Sequence, residues 1–311
     1  MITIAPYNPD WPKIFEKEAD ALRKIFGNLI VEIHHIGSTS IPNMSAKPVI
    51  DILPAVKEIR KVDSYDDAMR SAGYEVKGEY GILFRRYFQK ELNYTRTHNI
   101  HVYEVGHPEI DRHIAFRDYL REHAEEAEAY ASLKRELAVK FPDDIDAYSN
   151  GKDDFVRQID KNAGSLGTRI VKACTDRQWQ AAKTYRQKYF FDKVPMDDPY
   201  AWTFEHKDHQ HFILYNGTNI IGYAHIQLWP KKRAAIRIIV IDEDRRKSGF
   251  GKWFMEKIET WLKEKGYNSL HAESNPDALS FYTALGYTPM PFDDPDGYEG
   301  GEDDIAIGKI L

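Results

Sequence analysis

Residues 234–251 limit the possible folds of this chain more than any other stretch. Ala234-Ala235-Ile236-Arg237-Ile238-Ile239-Val240-Ile241 is apolar and β-branched, and reads as a strand. Asp242-Glu243-Asp244-Arg245-Arg246-Lys247-Ser248-Gly249-Phe250-Gly251 comes next as a charged loop with two glycines. From about Lys252 to Lys265, Phe254, Ile258, Trp261 and Leu262 recur at three- and four-residue steps, which predicts a helix, and Gly266 ends it. A strand, a two-glycine loop and a helix in that order can hold an anion. Glycines let backbone N–H groups approach it, and the helix start offers unpaired donors and a positive dipole end. Arg245, Arg246 and Lys247 add charge at the same place. The plain alternative is a tight turn ahead of a surface helix.

The surroundings extend the pattern. Residues 210–216 and 219–229 read as two strands joined by the hairpin signal Asn216-Gly217. Asn268-Ser269-Leu270-His271-Ala272-Glu273 reads as a strand, and Ser274-Asn275-Pro276 opens a helix with Pro in its first turn. That helix carries Ala278, Phe281, Tyr282 and Leu285 and closes at Gly286. Tyr287 starts an extended segment, and residues 304–311 end the chain as a strand.

Asn162-Ala163-Gly164-Ser165-Leu166-Gly167-Thr168 reads as a linker between a charged helical stretch and the strand Arg169–Ala173. The expected architecture is α+β in two domains, 1–163 and 168–311. The 311 residues suit that count, and 42% hydrophobic content supplies real cores. A net charge of −6 disfavours nucleic acid as a partner. Cys174 is the single cysteine, so no intrachain disulfide and no cysteine zinc cluster can form, which suits a cytoplasmic setting. No signal peptide and no membrane-length apolar run is read.

Arg246-x-x-Gly249-x-Gly251 resembles the acetyl-CoA signature of the GNAT superfamily of N-acetyltransferases. Asn275, Ala278, Phe281-Tyr282 and Leu285-Gly286-Tyr287 resemble its second cofactor motif, in register with the first. The resemblance covers roughly 168–311 and implies a mixed sheet flanked by helices. It implies that a neutral amine attacks the thioester of acetyl-CoA directly. The implied cofactor contacts are the strand end Ile239, Val240 and Ile241, which polarises the carbonyl, and the loop residues Arg246, Lys247, Ser248, Gly249, Phe250, Gly251 and Lys252. Asn275 would meet the pantetheine arm, or instead cap the helix ahead of Pro276. Tyr282 would protonate the leaving thiolate, or instead pack in the core.

The general base is open. Many relatives place a Glu on the strand before the phosphate loop, but this strand has Arg237 and no carboxylate. Glu273, His271 and His225 remain candidates, with Glu273 preferred. For the acceptor, the acidic run 293–304 with Asp293, Asp294 and Asp296 offers a carboxylate wall that would attract a cationic small-molecule amine, unless it is only a solvated loop. Trp202, Phe204 and Glu205 offer an aromatic-plus-acid lid, or core packing.

In the first half, an amphipathic helix is expected over 12–26 and a strand over Ile30–Ile36. Gly37-Ser38-Thr39-Ser40 comes next, then Lys47-Pro48-Val49-Ile50-Asp51-Ile52-Leu53. A strand ending in Gly-Ser, succeeded by a strand bearing Asp, suits a phosphate with Mg²⁺ on Asp51. Two-metal chemistry usually needs a second carboxylate two residues on, and position 53 is Leu.

These segments resemble the GrpB-like family, which has a nucleotidyltransferase-type fold. So do His98-Asn99-Ile100-His101-Val102, Phe116-Arg117-Asp118-Tyr119-Leu120-Arg121 and the helices carrying Tyr130, Leu133, Lys134, Leu137, Tyr148 and Lys152. The match runs over about 3–162. It implies an anion or nucleotide pocket of Gly37, Ser38, Thr39, Lys47, Asp51, His101, Arg117 and Arg121. Arg117 and Arg121 would share a helix face, or form a surface network with Asp118 and Glu122. His34 and His35, and likewise His98 and His101, should face opposite sides of their strands, and His209 and His211 one side, with no third zinc ligand apparent. The favoured reading is an acetyl-CoA-dependent N-acetyltransferase with an N-terminal nucleotide- or phosphate-binding domain. The alternatives are a bifunctional nucleotidyltransferase/acetyltransferase and a non-catalytic acyl-CoA or nucleotide sensor.

Overall fold

Helix α1 (Trp11–Phe26) places Trp11, Phe15, Ala19, Leu22 and Phe26 on one buried face, as its apolar spacing predicts. It packs on a five-stranded sheet made of β1 (Ile30–Ile36), β2 (Ile50–Val56), β3 (Tyr74–Val76), β4 (Arg86–Leu92) and β5 (Thr95–Glu104), in the order β1-β2-β5-β4-β3. Strand β2 runs antiparallel to β1 and parallel to β5, so Asp51 lies opposite both Ile36 and Asn99. The short α2 (Asp66–Ser71) precedes β3. Four helices come after β5: α3 (Pro108–Glu122), α4 (Ala124–Lys140), α5 (Ile145–Asn150) and α6 (Asp153–Asn162). Phe116, Leu120, Tyr130, Ala131 and Ile159 bind three of these helices to Ile41 and Met44, in the loop ahead of β2.

The computed structural model describes residues 1–191, 198–297 and 301–311. It divides the chain into two units, Met1–Arg169 with Asn216–Thr218, and Ile170–Tyr215 with Asn219–Leu311. Tyr298, Glu299 and Gly300 of the acidic run lie outside the described residues. Among the described residues no helix is long and apolar enough to cross a membrane.

The second unit is built on a seven-stranded mixed sheet. Its strands are β6 (Thr168–Lys172), β7 (His209–Asn216), β8 (Asn219–Trp229), β9 (Arg233–Ile241), β10 (Ser269–Ser274), β11 (Thr288–Pro289) and β12 (Ile305–Ile310), ordered β11-β12-β10-β9-β8-β7-β6. Helices α7 (Asp176–Arg186), α8 (Phe250–Glu264) and α9 (Leu279–Ala284) complete it. A full capping box of Thr175 and Gln178 starts α7. Helix α8 buries Phe254, Ile258, Trp261 and Leu262, the set its periodicity selects, and Met255 beside them.

Two irregularities in this sheet bear on the candidate site. First, β9 and β10 pair in parallel only from Arg233 with Ser269 to Ile236 with Ala272. Beyond that point β9 continues to Ile241 and β10 to Ser274 without pairing to each other. Second, the register between β8 and β9 slips between His225 and Ile226, with Arg237 as the extra residue. A bulge of this kind re-aims a side chain.

Candidate active site and a second polar cluster

The loop of residues 242–249 leaves β9 where its edge toward β10 is unpaired. Gly249 precedes α8 with φ +84°, a left-handed conformation that glycine adopts without strain. No neighbour crowds Gly249, so its requirement is conformational. At Gly251 the constraint is spatial and milder: a Cβ there would stand 3.3 Å from the Phe281 ring. One glycine of the first motif thus seats an aromatic of the second. The first backbone bond of α8 runs from Trp253 N to Gly249 O at 3.0 Å. The N–H groups of Phe250, Gly251 and Lys252 come before it and point out of the helix start. Arg246 Nε donates to Ile241 O at 3.1 Å, and its guanidinium lies 5.4 Å from the Tyr189 ring centroid. Arg246 therefore braces the loop against the strand end.

Asn275 Oδ1 accepts from Asp277 N at 2.7 Å, the capping role the sequence also allowed, which leaves its amide N–H₂ to donate. Tyr282 is buried between Phe281 and Tyr287 in edge-to-face contacts, and burial pushes its phenol well above the ordinary value.

Next to β9 lies a chamber of about 400 Å³. Tyr200, Trp202, His209, His225, Arg237 and Asp296 line it, and Ile238 ties it to the strand end. His209 Nδ1 and His225 Nε2 are 2.7 Å apart, and the His211 ring stacks on His225 at 4.4 Å. His211 Nδ1 lies 2.7 Å from the Tyr223 hydroxyl and its Nε2 lies 3.0 Å from Thr203 O. Burial depresses all three imidazoles, His209 and His211 to about 4 and His225 well below its ordinary value, so all are neutral at pH 7. His225 is thus a third member of the expected His209–His211 pair. Among the described residues no group of His, Cys, Asp or Glu is arranged to hold a metal.

Several expected site residues sit elsewhere. Glu273 and His271 lie outside the chamber lining; His271 instead meets Ser269 Oγ at 2.9 Å and Pro291 O at 3.1 Å. Glu205 is exposed, while Trp202 of the same turn lines the chamber. The acidic wall is narrower than its composition suggests. Asp294 is buried and ion-paired to Arg237, so its charge is already matched. Asp293 offers its backbone carbonyl to Arg233. Asp296 alone of the three lines the chamber, accepting from Gln227 Nε2 at 2.6 Å.

In the first unit the expected pocket separates into two clusters flanking the Gly37–Ser40 turn. On one side Arg117 donates to Asp118 and to His35 O, and Arg121 to Ser40 O and Asp118. Both guanidiniums line a groove of about 370 Å³ with His34 and Glu16, but they are committed to the backbone and to Asp118, as the network reading allowed; Glu122 takes no part in these bonds. Thr39 is buried, donating to Val49 O, which is a structural role. On the other side Asp51 accepts from Asn99 Nδ2 at 2.8 Å, with His101 Nε2 3.6 Å away. Gly37 packs against this carboxylate so closely that any Cβ would collide with it. Leu53 is fully buried, so Asp51 has no second carboxylate on its strand. Ser38 and Lys47 belong to this side: the Tyr130 hydroxyl is hydrogen-bonded to Ser38, and Asp51 acts electrostatically on Lys47.

Residues 1–162 match the model of the GrpB protein family, and residues 171–287 match the acetyltransferase (GNAT) family. This chain belongs to the GrpB family. Its C-terminal unit is a GNAT domain. The GrpB part is 50% identical to the UPF0157 protein YqkA of Bacillus subtilis, over 52% of this chain and 47% of that one, so this chain spans about half of that relative. A crystal structure of GrpB from Enterococcus faecalis is 45% identical with a TM-score of 0.50, covering 52% of this chain and 96% of that one. A putative acetyltransferase of Bacillus subtilis is 25% identical over 38% of this chain and 82% of that one.

Within this GrpB–GNAT chain, sequence reasoning missed how Lys134 and Lys152 join Lys47 near Asp51, and that His225 joins His209. A signal for Lys134 was available. Tyr130, Lys134 and Leu137 fall on one face of α4, so that lysine had to point where the apolar residues point.

Proposed function

We propose that the GNAT domain transfers an acetyl group from acetyl-CoA to a primary amine. The observation that carries this reading is the parting of β9 and β10 beyond Ile236 and Ala272, directly ahead of the loop whose Gly251 seats Phe281. Parted strands give a slot between two hydrogen-bonding edges, and the start of α8 gives N–H donors at its mouth.

The residues fit the donor. The N–H groups of Phe250, Gly251 and Lys252 would take its diphosphate, with Lys247 and Ser248 at the loop. Asn275 would donate to the pantetheine arm, and N–H groups on the open edge at Ile239–Ile241 would polarise the carbonyl. When bound, the donor supplies an activated thioester carbonyl. In the chamber, the rings of Tyr200 and Trp202 and the carboxylate of Asp296 suit a cationic amine. The amine must lose a proton before attack and another after it. The His225–His209 pair, kept neutral by burial, cannot hold that proton but can relay it toward solvent across its 2.7 Å contact, a role that its place in the chamber lining favours over Glu273. As the new C–N bond forms and the C–S bond breaks, Tyr282 would give the sulfur a proton.

For the GrpB domain, the lone carboxylate of Asp51 argues against two-metal nucleotidyl transfer, and no reaction is assigned to it. The test is free-thiol release from acetyl-CoA over a panel of primary amines. His225→Gln should lower kcat about 10²-fold, in the range of general acid–base catalysis, while acetyl-CoA binding is kept. Binding without thiol release on any amine would turn the domain into a sensor.

A further inference from the structure

Three lysines from three separate segments converge in the first unit without a carboxylate partner. Lys47 lies in the loop before β2, Lys134 in the middle of α4, and Lys152 just ahead of α6. Lys47 Nζ is 5.4 Å and Lys152 Nζ 4.3 Å from the centroid of the Tyr148 ring. Lys134 Nζ is 4.7 Å from the Tyr130 ring and donates to Ser45 O at 2.7 Å. None of the three is exposed, and Lys134 is only 3% accessible. Among the described residues none of them forms an ion pair with a carboxylate, and Asp51 is the acidic group whose field reaches all three. Lysine is rarely buried without a partner, because an ammonium taken from water loses several kcal/mol of hydration. Three ammoniums against one carboxylate leave an uncompensated positive cluster, and an anion would supply the missing charge.

We propose that this cluster is the binding site of a diphosphate-bearing small molecule, gripped by Lys47, Lys134 and Lys152 around Tyr130 and Tyr148. Lysines from three chain segments make a built site and not a solvated helix face, since each would otherwise turn its ammonium to water. Compact, many-donor ammoniums suit phosphate oxygens, and three of them exceed the charge of a single carboxylate ligand. The site does not depend on the acetyl-transfer reading.

The charges respond in a way that can be measured. Burial lowers Lys134 to about 7, helped by Lys152 and Arg135 and opposed by Asp51 and Glu128. Burial lowers Lys152 to about 8, helped by Lys47 and opposed by Asp51. A bound anion favours the charged forms, so binding at pH 8 must take up protons, and less so at pH 6 where both lysines are already charged.

The experiment is calorimetry of inorganic pyrophosphate with the full chain carrying Arg246→Gln and Lys247→Gln, which weakens anion capture at the C-terminal loop. We expect one equivalent to bind, with proton uptake at pH 8 that fades toward pH 6. Adding Lys47→Gln or Lys152→Gln, both nearer the surface than Lys134, should weaken binding at least tenfold, while Arg117→Gln should change it less than twofold. An ADP arm separates the sources: tighter binding than pyrophosphate marks a nucleotide, equal binding the diphosphate alone. No binding at millimolar pyrophosphate, or unchanged affinity in Lys47→Gln and Lys152→Gln, would overturn the proposal.

Discussion

The two units place their polar groups in opposite ways. In the GNAT domain the proposed anion donors are backbone N–H groups at the start of α8, and the cations beside them, Lys247 and Arg245, are exposed. The buried titratable cluster there is His209, His211 and His225, which burial keeps neutral. In the GrpB domain the proposed donors are side chains, Lys47, Lys134 and Lys152, a part-buried cluster of cationic groups. A site made of local backbone is complete before its ligand arrives. A site made of buried lysines costs folding energy until an anion relieves it.

The sharpest break between the two is expected from Gly249→Asp. It forces a side chain onto a left-handed residue and sets a carboxylate at the start of α8. Acetyl-CoA affinity should fall by at least about 10²-fold, roughly 2.7 kcal/mol, while pyrophosphate binding in the GrpB domain stays unchanged. Calorimetry with both ligands checks this.

The pH dependence of stability should separate the units next, on its alkaline side. The histidines have lower pKa values folded than unfolded, so between about pH 6.5 and 4 the unfolded chain binds more protons. The GNAT domain should therefore lose stability as pH falls through that window, by roughly 1.4 kcal/mol per pH unit for each histidine, with the trio titrating as a coupled set, and the GrpB domain should lose stability there too, because burial lowers His35, His98, His101 and His113 in the same direction. Lys134 also binds fewer protons folded than unfolded, but between about pH 7 and its ordinary value of 10.5. The GrpB domain should gain stability as pH rises from 7, and pyrophosphate should flatten that gain. Urea unfolding at a series of pH values, monitored by probes in each domain, reads both slopes.

Smaller effects sharpen the chamber and the motif packing. Asp296→Asn should raise the acceptor KM about tenfold, or about 1.4 kcal/mol, with acetyl-CoA KM unchanged, whereas Asp293→Asn should do little. Steady-state kinetics on the best amine of the panel decides between them. Gly251→Ala should cost only about 1 kcal/mol, because the added methyl meets a ring edge that can give by a few tenths of an ångström. Thermal unfolding reads that loss.

The same contrast explains what was legible in the sequence. The order of strands and helices in the second half is set by periodicity and glycine placement, and α8 starts within two residues of its expected position. Gly249, Gly251 and Phe281 could be read because backbone sites are encoded by spacing along a short segment. Residues that meet across the sheet could not. Arg237 takes up Asp294, and with it part of the acidic wall, through a bulge that no local pattern marks. His225 reaches His209 only through the pairing of neighbouring strands. Lys47, Lys134 and Lys152 lie far apart in the chain, so their convergence depends on how α4 and the start of α6 pack against the β2 loop. Arg117 and Arg121 do share a helix face, but carbonyls of His35 and Ser40 had first claim on their guanidiniums.

The central claim, that the GNAT domain grips acetyl-CoA on the loop before α8, is tested most directly by titrating acetyl-CoA into the full chain carrying Lys47→Gln and Lys152→Gln, which disable the GrpB cluster, and into the same chain with Gly249→Asp added, each shown to be folded by circular dichroism. The account predicts one equivalent bound to the chain with Gly249 intact and none detected once Gly249→Asp is added. Equal binding to both, or no binding to either, would contradict it.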